Sequence, residues 1–267
     1  MGKIYGILVT LMLLCIGCQW QLKPNDADAD KQQTSLQRYD RIESLYLTTG
    51  DYAALQQMST AFPTQTRMLI EDVLHLGQVN DRDINSKFLY YFQDSTLQAM
   101  LADVQQQFAD MDDVNAELES SIQRLKEMLP DIEIPLVYTQ IGSFDESIVV
   151  GNNMLGISLD KYLGSDYPFY VTHYSEEQRN MMVRSMIVPD CLCFYILSIY
   201  PLPNYRERTQ HERDLHMGKI QWIVNKATDR KVFKSDKVAV IADYLKNNPK
   251  VTMNELLSNT DSTIFIK

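Results

Sequence analysis

The stretch IGSFDESIVVGNNMLGISLDKYLGSDYPFY, residues 141–170, decides the fold class because strand patterns here interrupt a largely helical chain. Ile and Val broken by glycine and asparagine favour short strands joined by tight turns. Asn152 and Asn153 stand between SIVVG and MLGISL, and asparagine tolerates the positive φ that a hairpin corner needs. Asp160 and Asp166 lack the regular spacing of a calcium loop. The stretch therefore predicts a small sheet, with the later rings packed against neighbouring helices.

Helical patterns precede these strands from Leu36 to Leu129. In LQRYDRIESLYLTT, apolar residues at 36, 39, 42, 45 and 46 predict one buried stripe, and Gly50 ends that helix. The next helix stops at Pro63, and another runs from a cap at Thr64 to Gly77. Further helices are expected at 82–93, 95–110 and 112–129.

Helical patterns also follow the strands. Ser175 and Gln178 form a capping box, and Pro189 inside an apolar run kinks that run or begins a second helix. Residues 211–228 predict another helix, and Pro249 separates two short ones. The predicted class is α+β, predominantly helical, with a small central mixed sheet whose short strands lie around 132–160.

The N-terminal residues 1–17, MGKIYGILVTLMLLCIG, have the charge and length of an export signal. Gly17 directly before Cys18 resembles the lipobox of bacterial lipoproteins, in which the cysteine is acylated and the signal is removed. Cys15 departs from the leucine that the lipobox prefers three residues before the modified cysteine. An ordinary signal peptide and an uncleaved anchor remain alternatives to a lipid on Cys18.

Residues 18–35 are polar and lack apolar periodicity, which predicts a flexible tether. Their DADAD imitates the opening of a calcium loop, but Lys31 stands where the loop needs glycine and Gln37 where it needs glutamate. Removal of residues 1–17 with Lys3 changes the formal charge from −10 to −11. An acidic chain repels nucleic acid and anionic head groups, so membrane attachment must come from the lipid.

Cysteine and histidine patterns predict no metal or catalytic centre. Cys191 and Cys193 are too close for an unstrained disulfide and too few for zinc, so buried free thiols are expected. In HERDLH, His211 and His216 are five residues apart and stand about 140° apart on a helix, whereas zincin histidines stand about 40° apart. His75 is expected to cap a helix end, and His173 to precede another helix. Neither a nucleophile elbow nor a phosphate loop is present in the sequence.

The stretch at 141–170, together with MIVPDCLCFYI further on, resembles the gliding-motility-associated lipoprotein family of the GldB type. The order of features agrees as well: lipobox, acidic tether, long helical region, then the Gly-Asn-rich segment with LDKYLG. The resemblance covers roughly residues 36–200, and the C-terminal part matches less clearly.

That family is similar in arrangement to zincin-type metallopeptidases, in which an edge strand lies above a metal-binding helix. By this resemblance SIVVGNNMLGISLDKYLG supplies the sheet edge, and PDCLCFYILSIY, residues 189–200, takes the place of the metal helix. This segment contains no histidine. The resemblance therefore implies an inactive peptidase-like scaffold, with no catalytic residues, metal or cofactor.

The leading hypothesis is a non-enzymatic lipoprotein of the bacterial envelope, anchored in either membrane, facing the periplasm and binding an envelope partner in surface motility or secretion. The alternative is an atypical or degenerate zincin-type hydrolase that uses His173, His211 or His216 with Asp160 or Asp166. A third hypothesis is an adaptor that binds peptide by strand addition. The candidate residues for that strand edge are Val149, Val150, Gly151, Asn152, Asn153 and Leu155.

Overall fold

Helices on both sides of the strand segment enclose a three-stranded sheet in the computed structural model, which describes residues 35–151 and 153–265. The helices before the sheet are α1 (Tyr39–Thr49), α2 (Tyr52–Ala61), α3 (Pro63–Arg67), α4 (Ile84–Tyr91), α5 (Ser95–Gln107) and α6 (Asp112–Met128). The strands are β1 (Leu136–Gln140), β2 (Ile148–Gly151) and β3 (Met154–Ser158). After the sheet come α7 (Pro168–His173), α8 (Glu176–Arg179), α9 (Ile187–Ile199), α10 (Gln210–Ala227), α11 (Asp236–Asn247) and α12 (Met253–Ser258).

The sheet is mixed and has the order β1-β3-β2. β3 pairs with β1 in parallel and with β2 antiparallel. Between β2 and β3, Asn153 has a φ of 56°, in the left-handed region that the hairpin prediction required. Asn152, the other half of that turn, lies outside the described residues. The predicted class, a predominantly helical α+β fold with a small mixed sheet, is confirmed.

Helix α1 ends as predicted, and its buried face differs in part from the predicted stripe. Gly50 follows it with a φ of 70°, and its N–H bonds the carbonyl of Tyr46. The predicted stripe is wrong at Leu45, which is 42% exposed, while Leu47 is 1% exposed. The buried face also includes Asp40 and Glu43, because α1 packs against β1 and these side chains bond to groups at that strand.

The helix after Pro63 starts and ends earlier than predicted. Pro63 occupies the first helical position, where its fixed φ fits and its missing N–H costs nothing, so Thr64 lies inside the helix and is not a cap. The helix continues as a π-helical segment, Met68–Val73. His75 then has a φ of 51°, and its Nδ1 lies 3.1 Å from the carbonyl of Glu71. His75 thus caps the helix end, as expected, two residues before Gly77.

The capping and proline predictions after the sheet hold. Ser175 and Gln178 form both bonds of a capping box, although the helix that they start, α8, is short. Pro189 lies in the first turn of α9 and so belongs to the start of a new helix. Cys191 and Cys193 on this helix are buried free thiols, as expected. Among residues 35–151 and 153–265, no helix combines the length and hydrophobicity needed to cross a membrane.

Candidate functional site

The outer strand β2 carries three residues of the expected partner-binding edge: Val149, Val150 and Gly151. In the sheet β2 has one neighbour, β3. Leu155 was assigned to the edge incorrectly, because it lies on the middle strand, is 1% exposed and has a strand on each side. Asn153 belongs to the turn between the two strands.

The register shows which backbone groups of β2 point away from the sheet. Ser158 donates its N–H to the carbonyl of Ser147 over 3.0 Å, so these two residues form a hydrogen-bonded pair. Hydrogen-bonded and non-bonded pairs alternate along an antiparallel ladder. The N–H and C=O groups of Ile148 and Val150 therefore point outward, and within the described part of the chain no backbone group bonds to them.

Helix α9 runs alongside β2 in the direction of the strand. Near the helix start, Asp190 Oδ2 accepts a 3.1 Å hydrogen bond from Tyr162, whose hydroxyl also contacts the side chain of Ser147, just before β2. Farther along the helix, Tyr195 donates to the carbonyl of Glu133, which precedes β1. Because β1 begins at the end of the sheet where β2 finishes, α9 extends from the start of β2 towards its end.

Exposed apolar side chains lie on both of these elements. Val150 is 41% exposed, and Phe194 is 42% exposed one helical turn after Asp190. The name β2 surface is used below for the area defined by Ile148, Val150, Asp190 and Phe194. It combines unpaired main-chain groups, the exposed side chains of Val150 and Phe194, and one carboxyl group, while Ile148 is 6% exposed.

A strained loop, residues 142–146, connects β1 to β2 and is held by Asp160. Ser143 and Phe144 have φ values of 55° and 66°, which are rare for residues with side chains. The Asp160 carboxylate accepts the N–H of Gly142 over 2.6 Å and that of Phe144 over 2.5 Å. Burial raises the pKa of Asp160, whereas these two hydrogen bonds act in the opposite direction. We call this arrangement the Asp160 clasp.

Neighbours of Asp160 in the LDKYLGSDYPFY motif also support the loop. Lys161 Nζ donates to the carbonyls of Phe144 and Asp145 and lies 4.6 Å from the ring centre of Tyr174. The Phe144 ring stacks on Phe169, with 4.0 Å between ring centroids. Tyr167 donates to Asp103 on α5 and Tyr162 to Asp190 on α9, so these two rings contact helices as predicted, whereas Phe169 contacts the loop that precedes β2.

Two buried acidic residues on α1 were missed at the sequence level. Asp40 accepts hydrogen bonds from Thr139 and Arg38, and Glu43 Oε2 accepts the N–H of Ile141 over 2.9 Å. Burial, followed by repulsion from Asp40 and Asp160, raises the pKa of Glu43 well above its ordinary value. Helical spacing could have indicated that Asp40 and Glu43 are buried, because positions 36, 40, 43 and 47 share one face of the helix.

The four histidines have separate structural contacts. His75 and His173 bond backbone carbonyls of their own helices, and His211 lies 3.1 Å from Lys237 Nζ. His216 Nε2 bonds the carbonyl of Tyr200 over 2.8 Å, and burial lowers the pKa of His216. His211 and His216 both lie on α10, but their partners lie on different segments, Lys237 on α11 and Tyr200 after α9.

The proposed hydrolase residues do not form a catalytic pair in the described chain. Asp160 is buried and bonded to two backbone N–H groups, while Asp166 is 97% exposed and lies 3.9 Å from Arg179. No hydrogen bond or ion pair joins either carboxylate to a histidine among these residues. The described residues also contain no group of three or more histidine, cysteine or acidic side chains placed to bind a metal ion.

The fold and this site define an α+β scaffold with an unpaired strand edge beside a strongly apolar helix, α9, on which Phe194 is exposed. The chain belongs to the gliding motility protein GldB family, which it matches over residues 21–234. The resemblance inferred from residues 141–170 is thereby confirmed, and α11 and α12 lie beyond the matched region. Comparison with curated proteins and with solved structures gives no match.

Proposed function

We propose that the chain is a non-enzymatic lipoprotein of the bacterial envelope that binds another envelope protein in surface motility or secretion. Membership of the gliding motility protein GldB family supports this assignment. In this proposal residues 1–17 are a lipoprotein signal, residues 18–35 a tether and residues 36–267 one domain. Acyl chains on Cys18 hold the protein on the inner or outer membrane, facing the periplasm.

The outward N–H and C=O groups of Ile148 and Val150 are the observation that carries the binding proposal. Unpaired strand edges are templates for another strand, and proteins usually cover or disrupt them. An extended segment of a partner protein can satisfy these groups by strand addition. The exposed side chains of Val150 and Phe194 then supply apolar contacts beside the new strand.

The non-enzymatic part of the proposal rests on two observations. The histidines have separate contacts, and both carboxylate oxygens of Asp160 already accept backbone hydrogen bonds. A peptidase also needs a group that activates water or a nucleophile. Zinc retained after extensive dialysis, together with peptidase activity abolished by chelation, would overturn this part.

Replacement of Cys18 by alanine is expected to abolish acylation and lipoprotein-type processing, because the alanine has no thiol to modify. Incorporation of a labelled fatty acid and the mass of the membrane-bound protein measure this effect. Cys15→Leu is the matched control, since it removes a neighbouring thiol and should leave acylation intact. Acylation that persists in Cys18→Ala would rule out this anchor.

Replacement of Val150 by proline is expected to abolish partner binding while preserving the fold. The N–H of Val150 points outward, so proline removes a free donor without breaking a bond to β3. A photoreactive residue at position 150 should crosslink a discrete partner in the native envelope. Added wild-type protein should compete for the partner and reduce this crosslink, whereas added Val150→Pro protein should leave the crosslink unchanged.

Val150→Thr is the control for this experiment, because threonine keeps the backbone donor and a β-branched side chain. It should compete as well as the wild type, and both variants should unfold at similar denaturant concentrations. Undiminished competition by a folded Val150→Pro protein would show that the partner binds elsewhere.

A further inference from the structure

Asp190 places a half-buried carboxyl group on the β2 surface, with one oxygen hydrogen-bonded and the other without a partner in the described chain. Its Oδ2 accepts the hydrogen bond from Tyr162, whereas Oδ1 accepts no bond in the described chain and is not fully shielded from solvent. Asp190 follows the first residues of α9 and lies near Ser147, at the start of β2. A peptide strand added along Ile148 and Val150 would therefore pass close to this carboxyl group.

No basic side chain pairs with Asp190 in the described chain. Arg184, just before α9, pairs with Asp113 at 2.6 Å. His216 on α10 bonds the carbonyl of Tyr200, at the opposite end of α9. The segments 148–151 and 154–158 contain no ionisable side chain, and the nearby thiols Cys191 and Cys193 carry no positive charge.

We propose that the β2 surface accepts an extended peptide whose lysine or arginine side chain pairs with Asp190. This inference rests on the proposed function and specifies the chemistry of the partner segment. The outward groups of Ile148 and Val150 select an extended backbone, Phe194 and Val150 favour an apolar neighbour, and Asp190 selects the cation. Acidic Asp145 and Glu146, both exposed before β2, add attraction for a basic segment.

The protonation of Asp190 gives this pairing a characteristic pH dependence. Burial raises the pKa of Asp190 to about 7, so the carboxyl group of the free protein is largely neutral in mild acid. A bound cation stabilises the ionised form and lowers the pKa. The affinity for a basic peptide is therefore highest above pH 7 and falls as the pH decreases through the pKa.

Binding of two synthetic peptides to the wild-type protein tests the pairing. Both peptides alternate threonine and valine and carry proline at each end to limit self-association; they differ in a central lysine or norleucine. At about pH 8 the lysine peptide is expected to bind about tenfold more tightly, because a partly buried ion pair contributes that difference. At about pH 5.5 the preference should largely disappear, since Asp190 is then protonated.

Asp190→Asn should bind both peptides equally at either pH, whereas Asp190→Glu should retain a lysine preference. Denaturant unfolding of both variants separates this effect from a loss of fold. Equal binding of the two peptides to the wild type, or a preference that persists in Asp190→Asn, would overturn the inference. Failure of both peptides to bind also overturns it, while a partner crosslinked at position 150 would still support the proposed function.

Discussion

Asp160→Ala is expected to lower the free energy of unfolding by about 3 to 5 kcal/mol, because it leaves two buried N–H groups without an acceptor. These are the N–H groups of Gly142 and Phe144. The same change releases Ser143 and Phe144, whose left-handed conformations persist while surrounding bonds enforce them. Chemical denaturation followed by circular dichroism measures the loss.

Two further variants isolate the role of the clasp. Asp160→Asn keeps one acceptor oxygen and places an amide nitrogen against the second N–H, so its stability should lie between those of the wild type and Asp160→Ala. Asp166→Ala alters an exposed acid in the same motif and should change stability by less than about 0.5 kcal/mol. Equal stability of Asp160→Ala and the wild type would show that the clasp does not hold the loop.

Local signals explain why much of the fold could be predicted. Gly50, Asn153 and the Ser175–Gln178 box determine backbone geometry within a few residues, so their effects are readable from the chain alone. The effect of proline is equally local: α3 begins at Pro63, and Pro189 lies in the first turn of α9. The zincin-like arrangement depends on the packing of distant elements, and it stays a prediction.

The fold and the roles of side chains are harder to predict from the sequence wherever a polar side chain faces inward. Asp40 and Glu43 occupy the buried face of α1 because their partners are Thr139 and Ile141, about 100 residues later in the chain. The sequence alone leaves Asp160 as a candidate ligand or catalytic acid, because the bonds to Gly142 and Phe144 that show its structural role depend on the pairing of β1 and β3. Strand order likewise decides that Leu155 is central and Val150 is at the edge.

Gly156→Ala is expected to lower the free energy of unfolding by about 3 kcal/mol, because the middle strand has no room for a methyl group. Gly156 pairs with Tyr138 across β1 and β3, and an added Cβ would lie 2.6 Å from the Tyr138 hydroxyl oxygen and 2.7 Å from its Cζ. Tyr138 is fully buried and packs against Tyr39, so its ring cannot move away without displacing other side chains.

Gly151→Ala on β2 is the matched control for this substitution. Its Cβ would meet the flexible end of Met68 at 3.3 Å, and we expect a loss below about 1 kcal/mol. A comparable loss from both substitutions would contradict the steric explanation, because a general penalty on glycine replacement would then account for Gly156.

A double-mutant cycle identifies the ring as the source of the clash. Tyr138→Phe removes the hydroxyl but keeps Cζ, so it should not restore the stability of Gly156→Ala. Tyr138→Ala alone should cost about 4 kcal/mol through the cavity that it leaves. In that background Gly156→Ala should cost about 2 kcal/mol less than in the wild type, since its methyl group then enters empty space. Additive losses in the Tyr138→Ala background would place the strain in the β3 backbone instead.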